Sequence, residues 1–253
     1  MFDALHRLLS RILLLVGLGL VMSGPAQTQE PLVADLSRHL VPITTGFAGT
    51  EVLLFGAVDE PGDIVMVVRG PTHEPVVRRL ARISGIWVTR SQIRVGNVPS
   101  FYRVASTAPL ETVASPSVLQ RHQIGLANLD FTIERTDSGA EPQEYHDALI
   151  RLKQKEGLFN AEVQPIDVLG NRLFRSTVYF PANVPVGTYS VEVYLLRDGQ
   201  VVSAQTTPLI ISKIGLGADV YDFAHQQSAA YGLIAILLAV ASGWLAAVAF
   251  KKG

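Results

Sequence analysis

The sequence predicts a mainly β protein: an Ig-like antiparallel β-sandwich with a helical insertion, followed by one C-terminal transmembrane helix. Three observations predict it. From Leu40 to Ser106, runs of β-branched and aromatic residues recur between Gly and Pro turn signals at roughly 8 to 12 residue spacing. Alternation of facing residues resumes between Val163 and Ile211. Residues Ala229 to Phe250 then run without a charge, about 33 Å as a helix and so enough to cross a hydrocarbon core.

Residues 1–26 read as a signal peptide. Arg7 and Arg11 precede an apolar run from Ile12 to Val21 that is too short to span lipid, and Gly24 and Ala26 offer small residues for cleavage after Ala26. An uncleaved N-terminal anchor is the alternative. The first β-rich part, residues 27–115, holds the runs Glu51 to Val58, Ile64 to Val68, Val76 to Ile83 and Ile86 to Val88. Turn signals at Phe47-Ala48-Gly49, Glu60-Pro61-Gly62-Asp63, Gly70-Pro71 and Gly96-Asn97 punctuate them. Trp87 reads as a core filler between sheets.

A helical insertion is expected over 116–160. After Pro116, Val118, Leu119, Ile124 and Leu126 suit a short helix; Tyr145, Leu149 and Leu152 then recur at helical spacing. Glu141 and Glu144 at the start, Lys153 and Lys155 at the end and Gly157 beyond match the helix dipole and a glycine stop. Ser138-Gly139 marks the loop between the two helices. The second β-rich part, 161–213, either completes the sandwich or forms a second small domain. Its turns are Leu169-Gly170-Asn171-Arg172 and Asp198-Gly199, and Tyr189, Val191, Val193 and Leu195 share one face, opposite Ser190, Glu192, Tyr194 and Leu196. A juxtamembrane linker, 214–228, leads to the span, 229–250, and a tail, 251–253.

Tyr231 and Trp244 add amphipathic rings to the span, and Lys251 and Lys252 supply the positive flank that stays in the cytoplasm. The expected location is therefore the bacterial inner membrane, single-pass, with the bulk of the chain periplasmic. A buried hairpin of a soluble core would not need so long a charge-free run.

Composition narrows the chemistry. The 253 residues carry a formal net charge of -1, which gives no polyelectrolyte argument for nucleic acid. There is no cysteine, so thiolate nucleophiles, Cys zinc sites, iron–sulfur clusters and disulfides are all excluded. The histidines are His6, His39, His73, His122, His146 and His225, none at metal-ligand spacing; His73-Glu74 and His146-Asp147 are adjacent pairs whose side chains should point apart. No G-x-S-x-G elbow, phosphate loop or dinucleotide fingerprint occurs. We expect no catalytic residue, no metal site and no cofactor, and hence no enzyme.

Two constellations remain. Ala235, Ala239, Gly243 and Ala247 fall at four-residue steps, a small-residue ridge along which another membrane helix could pack, either a second copy or another integral membrane protein. A helix this rich in Ala and Gly also produces such a ridge by composition alone. Between Ile64 and Ser106 seven arginines face one acid, Glu74. Of these, Arg69, Arg78, Arg82, Arg94 and Arg103 are candidates for an anion or partner face, because the guanidinium fork grips oxyanions two-pronged. The plainer reading is a solvated face whose charges protect strand edges.

Several segments carry a family resemblance: Thr44-Thr45-Gly46-Phe47-Ala48-Gly49, Phe55-Gly56-Ala57, Gly62-Asp63-Ile64-Val65, Arg69-Gly70-Pro71, Gly85-Ile86-Trp87-Val88 and Val98-Pro99-Ser100-Phe101-Tyr102. It continues through Leu173-Phe174-Arg175, residues 180–189, Tyr231-Gly232-Leu233 and Gly243-Trp244. Together these resemble the uncharacterised alphaproteobacterial transmembrane protein family known as Alph_Pro_TMM, over nearly the whole chain after residue 26. The resemblance implies the same topology, no catalytic residues, and a partner among membrane exporters of the sulfite-exporter (TauE/SafE) type, beside which genes for such proteins are found. The leading expectation is a membrane-anchored periplasmic accessory or interaction module without enzymatic activity. Two alternatives stay open: an anion-binding protein or enzyme using the Arg-rich face, and a structural envelope protein.

Overall fold

The computed structural model describes residues 31–133, 142–160, 162–215 and 223–250. The signal-peptide reading over 1–26, Glu141, the Ser138-Gly139 loop, and Lys251 and Lys252 lie outside the described residues. The chain is mostly strand: β1 (Leu32–Leu36), β2 (Leu40–Ile43), β3 (Gly49–Val58), β4 (Asp63–Arg69), β5 (Thr72–His73), β6 (Val76–Ile83), β7 (Ile86–Gly96), β8 (Val98–Pro99) and β9 (Tyr102–Ser106). Two short helices, α1 (Leu110–Val113) and α2 (Pro116–Arg121), precede β10 (Thr132–Ile133) and the longer α3 (Pro142–Lys155). Then come β11 (Gln164–Pro165), β12 (Asp167–Leu169), β13 (Leu173–Pro181), β14 (Gly187–Arg197), β15 (Gln200–Lys213) and α4 (Ser228–Phe250).

One sheet is four-stranded in the order β1-β3-β13-β12, and a second is six-stranded in the order β11-β9-β4-β14-β15-β2. Most pairs are antiparallel, whereas the edge pairs β9–β11 and β2–β15 are parallel. Strands from before and after the helical segment share both sheets, because β3 pairs with β13 and β4 with β14. The alternation of β13 buries Phe174, Ser176, Val178 and Phe180 and exposes the residues between them, as expected of a sheet with one wet face.

Aromatic rings tie the sheets together. Phe180 of the four-stranded sheet stacks on Phe101 at 5.0 Å and meets Tyr189 of β14 edge-on at 5.8 Å. By contrast, β4 is buried without interruption from Ile64 to Val68, since both of its faces are covered. One face meets the four-stranded sheet, and the other lies beneath residues 110–131, whose Leu110, Val113, Val118, Leu119 and Ile124 are buried. This layered packing positions the polar groups described below.

Both turns expected downstream form with residues in the left-handed region: a three-residue turn between paired Leu169 and Leu173 with Gly170 and Asn171 at φ 58° and 59°, and a two-residue turn with Asp198 and Gly199 at 51° and 73°. The α3 helix buries Tyr145 and Leu149, while Leu152 is exposed on its solvent side. His146 and Asp147 do not point apart: His146 Nδ1 lies 3.3 Å from Asp147 Oδ1, and His146 Nε2 lies 3.1 Å from the Leu129 carbonyl.

The region around Trp87 departs most from expectation. Strand β7 extends from Ile86 to Gly96 and pairs with β6 as a long hairpin that belongs to neither large sheet, with only β10 beside it. Its base is anchored by buried Val77, Ile93 and Val95. Halfway out, α3 holds it: Ser91 Oγ lies 2.8 Å from Tyr145 Oη, and Arg79 pairs with Glu144 at 3.3 Å. A bulge follows at Arg79/Leu80, and past it the ribbon continues unsupported to the Ser84-Gly85 turn. Trp87 is therefore 66% exposed and is not a core filler between the sheets.

Candidate functional site

Placing the five candidate arginines separates them. Register pairs Arg69 with Tyr102 and Val68 with Arg103, so Arg69 and Arg103 project from opposite faces of the six-stranded sheet. Arg78, Arg82 and Arg94 lie on the hairpin instead, where the alternation of β6 gives them one face along with Leu80 and Trp87. The structure therefore brings three of the five together and leaves Arg69 and Arg103 each in its own setting.

Arg69 sits at the centre of a polar knot. Its guanidinium donates to Glu192 of β14 and, through Nη2, to the carbonyls of His122 at 2.5 Å and Gln123 at 3.2 Å. His122 closes the end of α2, so a sheet arginine fixes a helix terminus whose carbonyls lack helical partners. Glu192 also accepts from Tyr194 Oη at 2.5 Å and Ser190 Oγ at 2.9 Å. Tyr102 Oη donates to the Gln123 carbonyl at 2.7 Å and accepts from the Gly125 amide at 2.8 Å, and the Arg69 guanidinium lies 5.8 Å from its ring centre.

Electrostatics follow from this wiring. Burial alone would raise the Glu192 pKa, but hydrogen bonds from Tyr194, Arg69 and Ser190 and the charge of Arg69 hold it below the usual carboxylate range. Burial works against the charge on Arg69, and the bond and charge of Glu192 outweigh it, so its pKa is raised. Burial pushes the Tyr102 hydroxyl up to about 12, and burial together with the Glu192 carboxylate does the same to Tyr194. The knot is thus a neutralised ion pair ringed by protonated phenols. Such a set holds a helix end onto a sheet, with three of the roughly four acceptor sites of the Glu192 carboxylate taken by Arg69, Tyr194 and Ser190.

A cleft of about 310 Å³ opens beside the knot, lined by Arg69, Thr72, Asn97, Gln123, Thr188 and Ser190 among others. Arg69 reaches its edge with three of its five N–H donors bonded to Glu192, His122 and Gln123. On the opposite face of the sheet, Arg103 lines a cavity of about 200 Å³ with Glu51, Gln164, Thr177 and Tyr179. Its guanidinium lies 5.2 Å from the Phe101 ring centre and donates to the Gly157 carbonyl at 3.3 Å, while its buried Nε has no hydrogen-bond partner among the described residues. Burial lowers its pKa.

The hairpin arginines are exposed. Arg94 approaches Glu74 at 3.8 Å, and Arg82 Nε donates to the Gly85 carbonyl at 3.3 Å. Among the described residues no three His, Asp or Glu side chains converge as metal ligands. The ridge residues Ala235, Ala239, Gly243 and Ala247 lie within Ser228–Val248, a helical stretch long and apolar enough to cross a membrane and buried nowhere along its length. Sequence reasoning missed the Glu192 knot. Its only local signal was a carboxylate sharing a strand face with Ser190 and Tyr194, two residues to either side.

A family model described as "Putative transmembrane protein (Alph_Pro_TM)" matches residues 31–252. No curated protein matches the chain.

Proposed function

Because the chain belongs to the Alph_Pro_TM family of transmembrane proteins, we propose that it is a membrane-anchored, non-enzymatic interaction module that serves another integral membrane protein, a transporter of the sulfite-exporter type. One observation carries this reading. The β body encloses its own core and pairs Arg69 with Glu192 inside it, whereas α4 leaves a 21-residue apolar stretch wholly uncovered. Within that stretch, the ridge from Ala235 to Ala247 lets a second helix backbone approach closely. The signal-peptide layout and the Lys251-Lys252 flank support a periplasmic bulk and a cytoplasmic C-terminus.

The test is purification of the tagged full chain in several mild detergents, with identification of any integral membrane protein that stays bound, followed by the same experiment with Ala239→Leu and Gly243→Leu. A partner held by the native chain and lost from both variants supports the reading. A lone monomer in every detergent overturns it.

A further inference from the structure

The hairpin of β6 and β7 is the largest feature the proposed function leaves unused. Between Val76 and Gly96 it carries Arg78, Arg79, Arg82, Arg90 and Arg94 and no acidic residue. Beyond the Arg79–Ser91 rung, where α3 lets go, about five residues per strand extend roughly 16 Å to the turn. That free end is largely apolar, with Arg82 and Arg90 as its charged residues. Ile86 is 68% exposed, Trp87 66%, Ile83 59% and Leu80 55%.

The distribution of these residues decides what could cover them. Leu80 and Trp87 lie on one face of the ribbon and Ile83 and Ile86 on the other. A protein partner that docks flat covers one face and leaves the other wet. A tip apolar on both faces suits a medium that surrounds it. The charges have the matching arrangement: Arg82 stands opposite Trp87, with Arg90, Arg78 and Arg94 progressively farther back. Arginines behind an apolar tip meet phosphates as the tip enters the headgroup boundary. The unpaired outer strand edges limit entry to the tip, since bare backbone groups are not tolerated in hydrocarbon.

We infer that the β6–β7 hairpin docks its tip into the anionic phospholipid surface of the same bilayer that α4 crosses. Tethering makes weak intrinsic affinity sufficient, because a surface linked to its ligand meets it at an effective concentration on the order of millimolar. The inference requires the α4 anchor and does not depend on what α4 packs against.

The test uses the full chain carrying Trp244→Phe, so that Trp87 is the single tryptophan, reconstituted in vesicles of phosphatidylcholine alone or mixed equally with phosphatidylglycerol. Both sets contain lipid brominated near the headgroup end of the acyl chains. Bromolipid quenching of Trp87 should be strong in anionic vesicles and weak in neutral ones. Each Arg→Gln change among Arg78, Arg82 and Arg90 should lower the anionic-over-neutral ratio by roughly fivefold. The corresponding Arg→Lys variants should keep most of it, and circular dichroism identifies any variant that fails to fold. Equal quenching in both vesicles, or Trp87 protection that follows the protein-to-lipid ratio and not lipid charge, overturns the inference; the latter marks a second copy as the occupant. Co-flotation with both vesicle types checks the anchor separately, and a chain that fails to float overturns the inference at that step.

Discussion

Replacing Arg69 with Met tests whether the polar knot holds the helical segment to the sheet. The substitution keeps a comparable stem and removes the bond to Glu192 and those to the His122 and Gln123 carbonyls. Glu192 keeps its donors Tyr194 and Ser190, and the Gln123 carbonyl keeps Tyr102, so the main losses are the compensating charge and the His122 contact. Breaking a fully buried pair costs about 3–5 kcal/mol. Arg69 and Glu192 retain 19% and 21% side-chain exposure, which places the cost at the low end, about 3 kcal/mol. For a body of this size that corresponds to a Tm lower by roughly 6–12 °C. Thermal and urea unfolding of the full chain in mild detergent, followed by circular dichroism, reads it. Exposed Arg78→Met serves as the control and should shift stability by less than about 0.5 kcal/mol. In the double variant Arg69→Met/Glu192→Leu part of the loss should return, because no charge is then left unpaired. If Arg69→Met unfolds with the control, the knot does not hold the layers together.

Acid should weaken the same contact. The folded-state pKa of Glu192 is depressed, so its contribution is fully present above the unfolded value of about 4.3 and is lost as pH falls through the folded value; Glu192→Gln should flatten the dependence of the urea midpoint on pH in that window. Gly56→Ala should be severely destabilising, by about 3 kcal/mol or more, since a Cβ there would lie 2.4 Å from both the Phe174 ring and the Val33 carbonyl, and the backbone atom cannot move aside cheaply; proteolytic susceptibility of the expressed variant measures it. Sulfate, phosphate and sulfite should each leave the Tm of the full chain unchanged at low millimolar concentration, because Arg69 is engaged internally; a saturable shift abolished by Arg69→Met would refute that.

Much of the strand framework was legible because local chemistry dictates it. In β14 the alternation from Tyr189 to Leu195 fixed which residues share a face, although both faces are covered from Val193 to Leu196, and Asp198-Gly199 could take the two left-handed conformations that such a hairpin needs. The uninterrupted apolar run of β4 likewise required cover on both faces. Trp87 was misread for a physical reason: period and composition indicate that a residue lies on a strand, but whether another layer covers it depends on where α3 stops, and Leu80 to Arg90 extend past that point. The knot was illegible because Arg69 finds Glu192 across 123 residues of chain. Nothing local to Arg69 distinguishes it from Arg78, which points into solvent. The arginines had looked like one patch because they cluster in sequence, yet successive strand positions alternate between faces and the hairpin leaves the sheet altogether.

The interleaving of early and late strands constrains how the chain is made. Strands β3 and β4 emerge from the ribosome long before β13 and β14, the partners that flank them in the finished sheets. Until those arrive, two of the most oily ribbons in the molecule have open edges, the circumstance in which chains stick to one another. Closing such distant pairings is slow. Maturation should therefore be more sensitive to holdase chaperones than the modest size of the protein suggests, and truncations that end before β13 should accumulate as aggregates and not as folded half-molecules.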